Sequence, residues 1–286
     1  MNLAGYTIQE VIYAADDTVV ARARSERGEK VVLKYQDSNR PSPDLLARWQ
    51  HEYSVLRSID SEWVVKTLGL KQIEPSLILV LEDFGSTNLA QLIERQPLDL
   101  SERLNIAMQL ASAVSAVHAH GLIHGDISPK NVLVDIATMK LKLCDFGLSS
   151  RLDREHKVMH ETSRRGSLEY MSPERTGRTN LDVDYRSDLY SLGVTLYELF
   201  AGRKPFQYGD PMTLLHAQIA IMPAPLREFD PDVPEPLSGL VQKLLNKYPD
   251  DRYQSSFGLL HDLKCCSQQW QRSRRVEAFE LAKADI

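Results

Sequence analysis

Short apolar runs of strand length fill the first third of the chain, and apolar positions at helical spacing fill the rest. Tyr6 to Tyr13 and Thr18 to Ala23 are apolar-rich, and Ala14-Ala15-Asp16-Asp17 between them fits a hairpin turn. Val31-Val32-Leu33-Lys34-Tyr35 predicts a third strand. Ser42-Pro43-Asp44 then supplies a cap, a first-turn proline and an early acid, which together start a helix. Leu45, Trp49, Leu56 and Ile59 give that helix its apolar face. Leu77 to Leu81 is a continuous apolar run, and Glu82-Asp83-Phe84-Gly85 breaks it in the manner of a hinge between two lobes.

Beyond the hinge the period changes to that of helices. Ser101 to His120 places Leu104, Ala107, Leu110, Val114 and Val117 on one face, and Gly121 stops it. Asp188 to Ala201 is apolar nearly all round and predicts a buried helix. Pro205 to Pro236 reads as proline-rich loop around a short helix at Met212 to Ala220. Further helices are expected at Leu237 to Asn246 and Ser256 to Gln269. Gln271 to Ile286 is charged and weakly periodic, which reads as a linker or a loosely docked segment.

Composition narrows the function. The 286 residues are 43% hydrophobic, enough for one two-lobed domain or two small ones. The formal charge of -5 argues against nucleic acid as the main partner, because phosphate backbones need a basic field. No apolar run approaches the roughly 20 residues of a membrane span, and the first residues do not form a secretion signal. Cys144, Cys265 and Cys266 have no metal-ligand pattern, and a reducing cytoplasm is their natural setting.

The chemistry lies in two segments, Asp126-Ile127-Ser128-Pro129-Lys130-Asn131 and Asp145-Phe146-Gly147. Asp126 is the expected base or orienting carboxylate for a hydroxyl nucleophile. Asn131 and Asp145 offer hard oxygen atoms of the kind that hold magnesium. Lys34, on a strand, can neutralise nucleotide phosphates, and Glu52 on the following helix can pair with it.

This ordered set resembles the eukaryotic-type protein kinase domain over roughly residues 6 to 266. Lys34 and Glu52 match the strand lysine and C-helix glutamate, His124-Gly125-Asp126 the catalytic-loop His-Arg-Asp, and Asp145-Phe146-Gly147 the metal-binding triplet. Met171-Ser172-Pro173-Glu174 resembles the end of the activation segment. Asp188 resembles the aspartate that braces the catalytic loop, and Arg252 the arginine that pairs with Glu174. Leu56, Phe146 and His124 match the apolar spine between the lobes. The resemblance implies an α+β, bilobal fold: a small antiparallel sheet with its C-helix in the N-lobe (1–83), a mainly helical C-lobe (84–266), and a tail or linker at 267–286. It further implies nucleotide contacts at Lys34, Glu82, Phe84 and Leu133, with ATP and magnesium (manganese as the alternative ion) as cofactors. Protein substrates, a cytoplasmic location, and neither nucleic acid nor membrane as partner complete the expectation.

A narrower resemblance, carried by Thr176-Gly177-Arg178, Tyr185 to Thr195 and Arg252-Tyr253-Gln254-Ser255, is to the N-terminal kinase domains of large bacterial signalling hybrids. Further domains downstream in a longer chain are therefore expected.

Three departures from the family pattern matter. The span between Ile8 and Ala23 lacks the three glycines that let backbone amides approach phosphates, so weaker ATP binding is expected. Gly125 replaces the arginine that in the family receives an activation-segment phosphate. Its absence removes control through that contact, and the His-Gly-Asp form also resembles small-molecule phosphotransferases. Ser128 stands where Ser/Thr kinases carry a lysine, and Lys130 is a candidate to supply that charge. Ser149, Ser150, Thr162, Ser163 and Ser167 are candidate autophosphorylation sites, and Gly166-Ser167 favours hydroxyl substrates of the Ser/Thr type. The leading expectation is an active Ser/Thr protein kinase, with a pseudokinase module and a small-molecule kinase as rivals.

Overall fold

A computed structural model describes residues 2–3, 5–15, 18–36, 43–73, 76–85, 87–152 and 168–285. Its first lobe is a six-stranded antiparallel sheet of β1 (Asn2–Leu3), β2 (Tyr6–Ala15), β3 (Thr18–Ser25), β4 (Lys30–Gln36), β5 (Thr67–Ile73) and β6 (Ser76–Glu82), in the order β1-β2-β3-β4-β6-β5. Alternation along β3 and β4 buries Val19, Ala21, Ala23, Val31, Leu33 and Tyr35 in one small core. The strand period of two then turns Val32 and Lys34 to the opposite face. The helix α1 (Pro43–Ser58) follows β4 and buries Trp49, Glu52, Val55 and Leu56.

The expected strands and helices are present, most with longer ends. Ala14 and Ala15, expected in the turn, belong to β2, and the helices expected to end at His120 and Asn246 stop at Ala119 and Leu244. Besides two-residue strands, two elements go beyond expectation. Strand β5 was not legible because Gly69 interrupts it and Leu68 points to solvent. The short helix α2 (Leu89–Arg95) has too few turns to show a period, yet Asn88 caps it by accepting from Gln91 N. It follows the two-residue strand β7 (Thr87–Asn88).

The second lobe is built on α3 (Leu100–Ala119) and α4 (Arg186–Ala201), which lie in the main core. A reciprocal capping box between Asp99 and Glu102 starts α3. Gly193 lets α4 pack closely, since a Cβ there would lie 2.7 Å from Leu244 Cβ. The helices α5 (Pro211–Ala220), α6 (Glu235–Leu244) and α7 (Ser256–Ser273) complete the lobe. Between α3 and α4 run β8 (Leu122–Ile123), β9 (Val132–Asp135), β10 (Lys140–Leu143) and β11 (Ser150–Arg151). β9 and β10 form a hairpin extended by β7, and β11 pairs with β8. Among the described residues, no helix is long and apolar enough to cross a membrane.

The segment after α7 is docked. Val276, Phe279, Leu281 and Ala282 pack on the core, and Ala282 N donates to Asp262 Oδ2 at 2.7 Å. Asp285 accepts from Gln254 N and Ser255 Oγ at the start of α7, where a carboxylate complements the helix dipole. Its charged composition hid the few apolar residues that hold it down.

A buried ion pair ties the lobe together. Arg252 and Glu174, both with side chains fully removed from solvent, meet through two bonds of 2.7 and 2.8 Å. The remaining guanidinium donors reach the carbonyls of Asn246, Arg186 and Lys247. Burial would push the Glu174 carboxyl up, but the Arg252 guanidinium holds it below its ordinary value. Breaking such a pair leaves an uncompensated charge in the interior. Arg252→Met is therefore expected to lose roughly 3–5 kcal/mol of unfolding free energy in a denaturant titration, with Glu174→Gln in the same range.

Candidate active site

The two acidic segments meet because of one hairpin. β9 and β10 pair Val132 with Leu143, so the residues flanking the open end, Asn131 and Cys144, are adjacent, and Cys144 N donates to Asn131 O at 3.0 Å. Asn131 precedes this pair and Asp145 follows it, which brings the carboxamide and the carboxylate together. Asp145 holds a positive φ of 63°, a conformation uncommon for a residue with a side chain.

Asn131 also fixes the catalytic loop. Its Nδ2 donates to Asp126 O at 2.8 Å and to Asp126 Oδ2 at 3.0 Å. This orients Asp126 and leaves Asn131 Oδ1 as the atom that would hold a metal. Hard oxygens from Asn131 and Asp145, beside a cation for phosphate, suit a magnesium–nucleotide pair.

Lys34 sits between two carboxylates. Its Nζ lies 2.8 Å from Glu52 Oε2 and 3.0 Å from Asp145 Oδ1. Glu52 is buried, and Lys34 is only 11% exposed. Burial disfavours the ammonium, but Asp145 and Glu52 more than compensate and raise its pKa. Burial would likewise raise Asp145, yet Lys34 and then Arg48 draw it down to about 2. Glu52, the most enclosed of the three and close to a second carboxylate, is raised by its burial despite the lysine. The triad is thus one shared cation with a negative surplus, the charge balance into which a divalent ion fits.

Behind the site lies a buried carboxylate. Asp188 accepts from the backbone N–H of His124 at 2.8 Å and of Gly125 at 2.9 Å, and His118 Nε2 lies 3.0 Å away. Burial opposes its charge, but His118 and these amides hold its pKa below the usual carboxylate value. His124 is fully buried against Phe146, with ring centroids 4.5 Å apart. Asp126 N donates to His124 Nδ1, so Nε2 carries the proton it donates to Cys144 O. Leu56 and Phe146 share the main core, which links α1 to the catalytic loop.

The remaining expected residues fall around the cleft, in the interior or outside the described residues. Ser149, expected as a phosphorylation site, is buried, and its hydroxyl donates to Phe146 O at 2.7 Å, which shields it from modification in this arrangement. The Glu82 carboxylate accepts from Lys66 N and Lys142, and the Lys142 ammonium lies over the Phe84 ring. Those side chains are engaged with the protein, so their nucleotide contacts would fall to the backbone of the hinge. Leu133 is half-buried on β9, opposite Asn88 and Lys142. Ser128 is buried, whereas Lys130 is exposed on the short 3-10 turn Pro129–Asn131. Asp16, Asp17, Thr162, Ser163, Gly166 and Ser167 lie outside the described residues.

Sequence reasoning missed three contributors. His118, which no local spacing singles out, contacts Asp188. Arg48 lies 3.9 Å from Asp145, and its position one turn before Glu52 on the same face of α1 was the available signal. Arg175 is buried and its guanidinium donates to Gly125 O. Only its place next to Glu174 hinted at it.

The comparisons agree with this geometry. The protein kinase domain family profile matches residues 15–263. A probable serine/threonine-protein kinase of Clostridium perfringens is 29% identical over 85% of this chain and 35% of its own length. Serine/threonine-protein kinase PrkC of Bacillus subtilis is 28% identical over 88% of this chain and 38% of its own. Hybrid signal transduction histidine kinase G of Dictyostelium discoideum is 31% identical over 58% of this chain and 7% of its own. The chain therefore spans little more than a third of the first two relatives, 35% and 38%.

Two measurements test the site. The folded-state pKa of Asp145 lies below its ordinary 3.8, so its stabilising contribution is complete above about pH 4 and is lost as the pH falls towards 2. The gap in unfolding free energy between wild type and Asp145→Asn should narrow over that window and stay constant above it. Gly125 has φ +80°, and a Cβ there would meet Leu148 O at 2.7 Å. Gly125→Arg, which restores the family residue, should lose at least about 1–2 kcal/mol of stability on backbone conformation alone.

Proposed function

The chain belongs to the protein kinase domain family, and on that premise we propose that it transfers the γ-phosphate of ATP to serine or threonine hydroxyls of protein substrates. The observation that carries this reading is the assembled triad of Lys34, Glu52 and Asp145 beside the Asp126–Asn131 pair. The β9–β10 hairpin brings the two groups side by side, with Cys144 N donating to Asn131 O.

Asp126 orients the substrate hydroxyl and takes its proton. The hydroxyl oxygen forms a bond to the γ-phosphorus, the bond from that phosphorus to the bridging oxygen breaks, and ADP leaves with the electron pair. Lys34, held by Glu52, balances the α- and β-phosphates. Magnesium, held by Asn131 and Asp145, would supply charge neutralisation of the transferring phosphoryl group. Lys130, exposed at the mouth of the catalytic loop, is the candidate for the further cation that Ser128 cannot provide.

Support for a protein acceptor comes from the second lobe. The braced segment ending in Glu174 borders a groove of about 530 Å³ that Glu94, Glu169, Glu198, Lys204, Phe206 and Tyr208 help to line. Arg203 also lines it and Lys204 pairs with Glu169, so the groove is of mixed charge, and its aromatic wall is what it offers an extended peptide. The serine/threonine class is carried over from the printed names of the bacterial relatives, and further domains in a longer chain fit the small share of those relatives that is covered.

The missing glycines favour one other reading, a regulatory pseudokinase with little turnover. A phosphotransfer assay separates the two. With γ-labelled Mg-ATP and a generic basic protein, the wild type should label protein, and Asp126→Asn should lower the rate by about 10³-fold or more at unchanged ATP binding. Thermal stabilisation by ATP with no transfer would establish the pseudokinase reading instead. Lys130→Met should lower kcat by about tenfold with the nucleotide KM unchanged, and an unaltered kcat would remove Lys130 from the mechanism.

A further inference from the structure

The catalytic loop lacks an arginine at position 125, but an arginine reaches the same place from elsewhere in the chain. Arg175 follows Glu174 at the end of the activation segment and is 5% exposed. Its guanidinium donates to the carbonyl oxygen of Gly125, the peptide leading into Asp126. One of its terminal nitrogens lies 3.5 Å from the position a Cβ of residue 125 would take. Glycine at 125 admits the backbone of Leu148, only 2.7 Å from that Cβ position, while the guanidinium packs against the same spot at ordinary contact distance.

Burial lowers the pKa of this guanidinium and outweighs the attraction of Asp188, Asp126 and Glu174, and its Nε has no partner among the described residues. The bond to the Gly125 carbonyl is therefore the contact that replaces its lost hydration and fixes its place. Asp188 meanwhile accepts from the N–H of Gly125, while Arg175 donates to its carbonyl. Both polar groups of residue 125 are therefore held, one by a helix of the second lobe and one by the activation segment.

We infer that Arg175 is a positioning residue that locks the activation segment to the catalytic loop from within the protein, replacing the reversible arginine–phosphate contact that Gly125 has removed. The inference rests on the kinase reading of the site and deepens it by naming its regulation. Asp126 is held in position without phosphorylation of the activation segment, so turnover does not depend on that modification.

The test uses the full chain with Arg175→Met and Arg175→Lys, the latter keeping the charge without the planar fork. Arg175→Met should lower kcat by about tenfold or more while the KM for ATP changes less than about twofold, because the nucleotide contacts lie on other elements. Arg175→Lys should fall between Met and wild type. Amide hydrogen exchange should rise about tenfold for residues 124–127 and stay unchanged in β3, β4 and α7. Phosphatase-treated wild type should retain its rate. A folded Arg175→Met, or a folded Arg175→Lys if Met does not fold, with wild-type kcat and wild-type exchange at 124–127 would overturn the clamp. A tenfold loss of rate on phosphatase treatment would overturn the phosphate-independence. Should the wild type transfer no phosphate at all, the kinase reading fails, and the exchange measurement still decides whether Arg175 holds the loop.

Discussion

A buried carboxylate organises this protein. Asp188 sits almost without solvent on α4 and spends its two oxygens on consecutive amides of the catalytic loop and on His118. Burying a carboxylate is unfavourable unless several donors replace its hydration. The loop supplies those donors, so the position of Asp126 is coupled to the integrity of the second lobe's core. The same logic recurs at Glu174, which Arg252 and Ser187 satisfy completely. Two buried acids, each unable to tolerate the loss of its partners, hold the loop and the activation segment to a common frame.

The first lobe uses charge differently. Lys34 and Glu52 come from a strand and a helix with few direct restraints on each other, and Asp145 comes from the second lobe. Their shared ion pairing makes the cleft a single electrostatic unit. Its stability comes from one cation facing two carboxylates, with Arg48 as a weaker second. A divalent ion bound at Asp145 would compete with Lys34 for the same oxygen. Under the proposed reaction, relaxation of that contact would free the ammonium for phosphate.

Much of this was readable from residues in order. The strand period placed Lys34 opposite the Leu33 core, and the helical period put Glu52 on the inward face of α1. The spacing of Asp126, Asn131 and Asp145 across a hairpin brought those groups together. What was not readable shares a physical cause. Strand β5 is held by its backbone ladder to β6, with Gly69 breaking its pattern, and the segment after α7 by a few apolar contacts that leave no period. His118 and Arg175 are defined by partners remote in sequence, respectively the carboxylate of Asp188 and the carbonyl of Gly125. Local pattern encodes which face of an element is buried, but not which distant group meets it there.

The departures from the family pattern are coupled rather than independent. Gly125 looks like the loss of a functional side chain when read alone. In space it allows the close approach of Leu148 O, 2.7 Å from where a Cβ would lie, and its positive φ suits a residue without a Cβ. An arginine there would collide with the backbone that follows Phe146. With Arg175 as the inferred clamp, the cation absent at 125 is supplied from the end of the activation segment, a fixed contact in place of a switchable one.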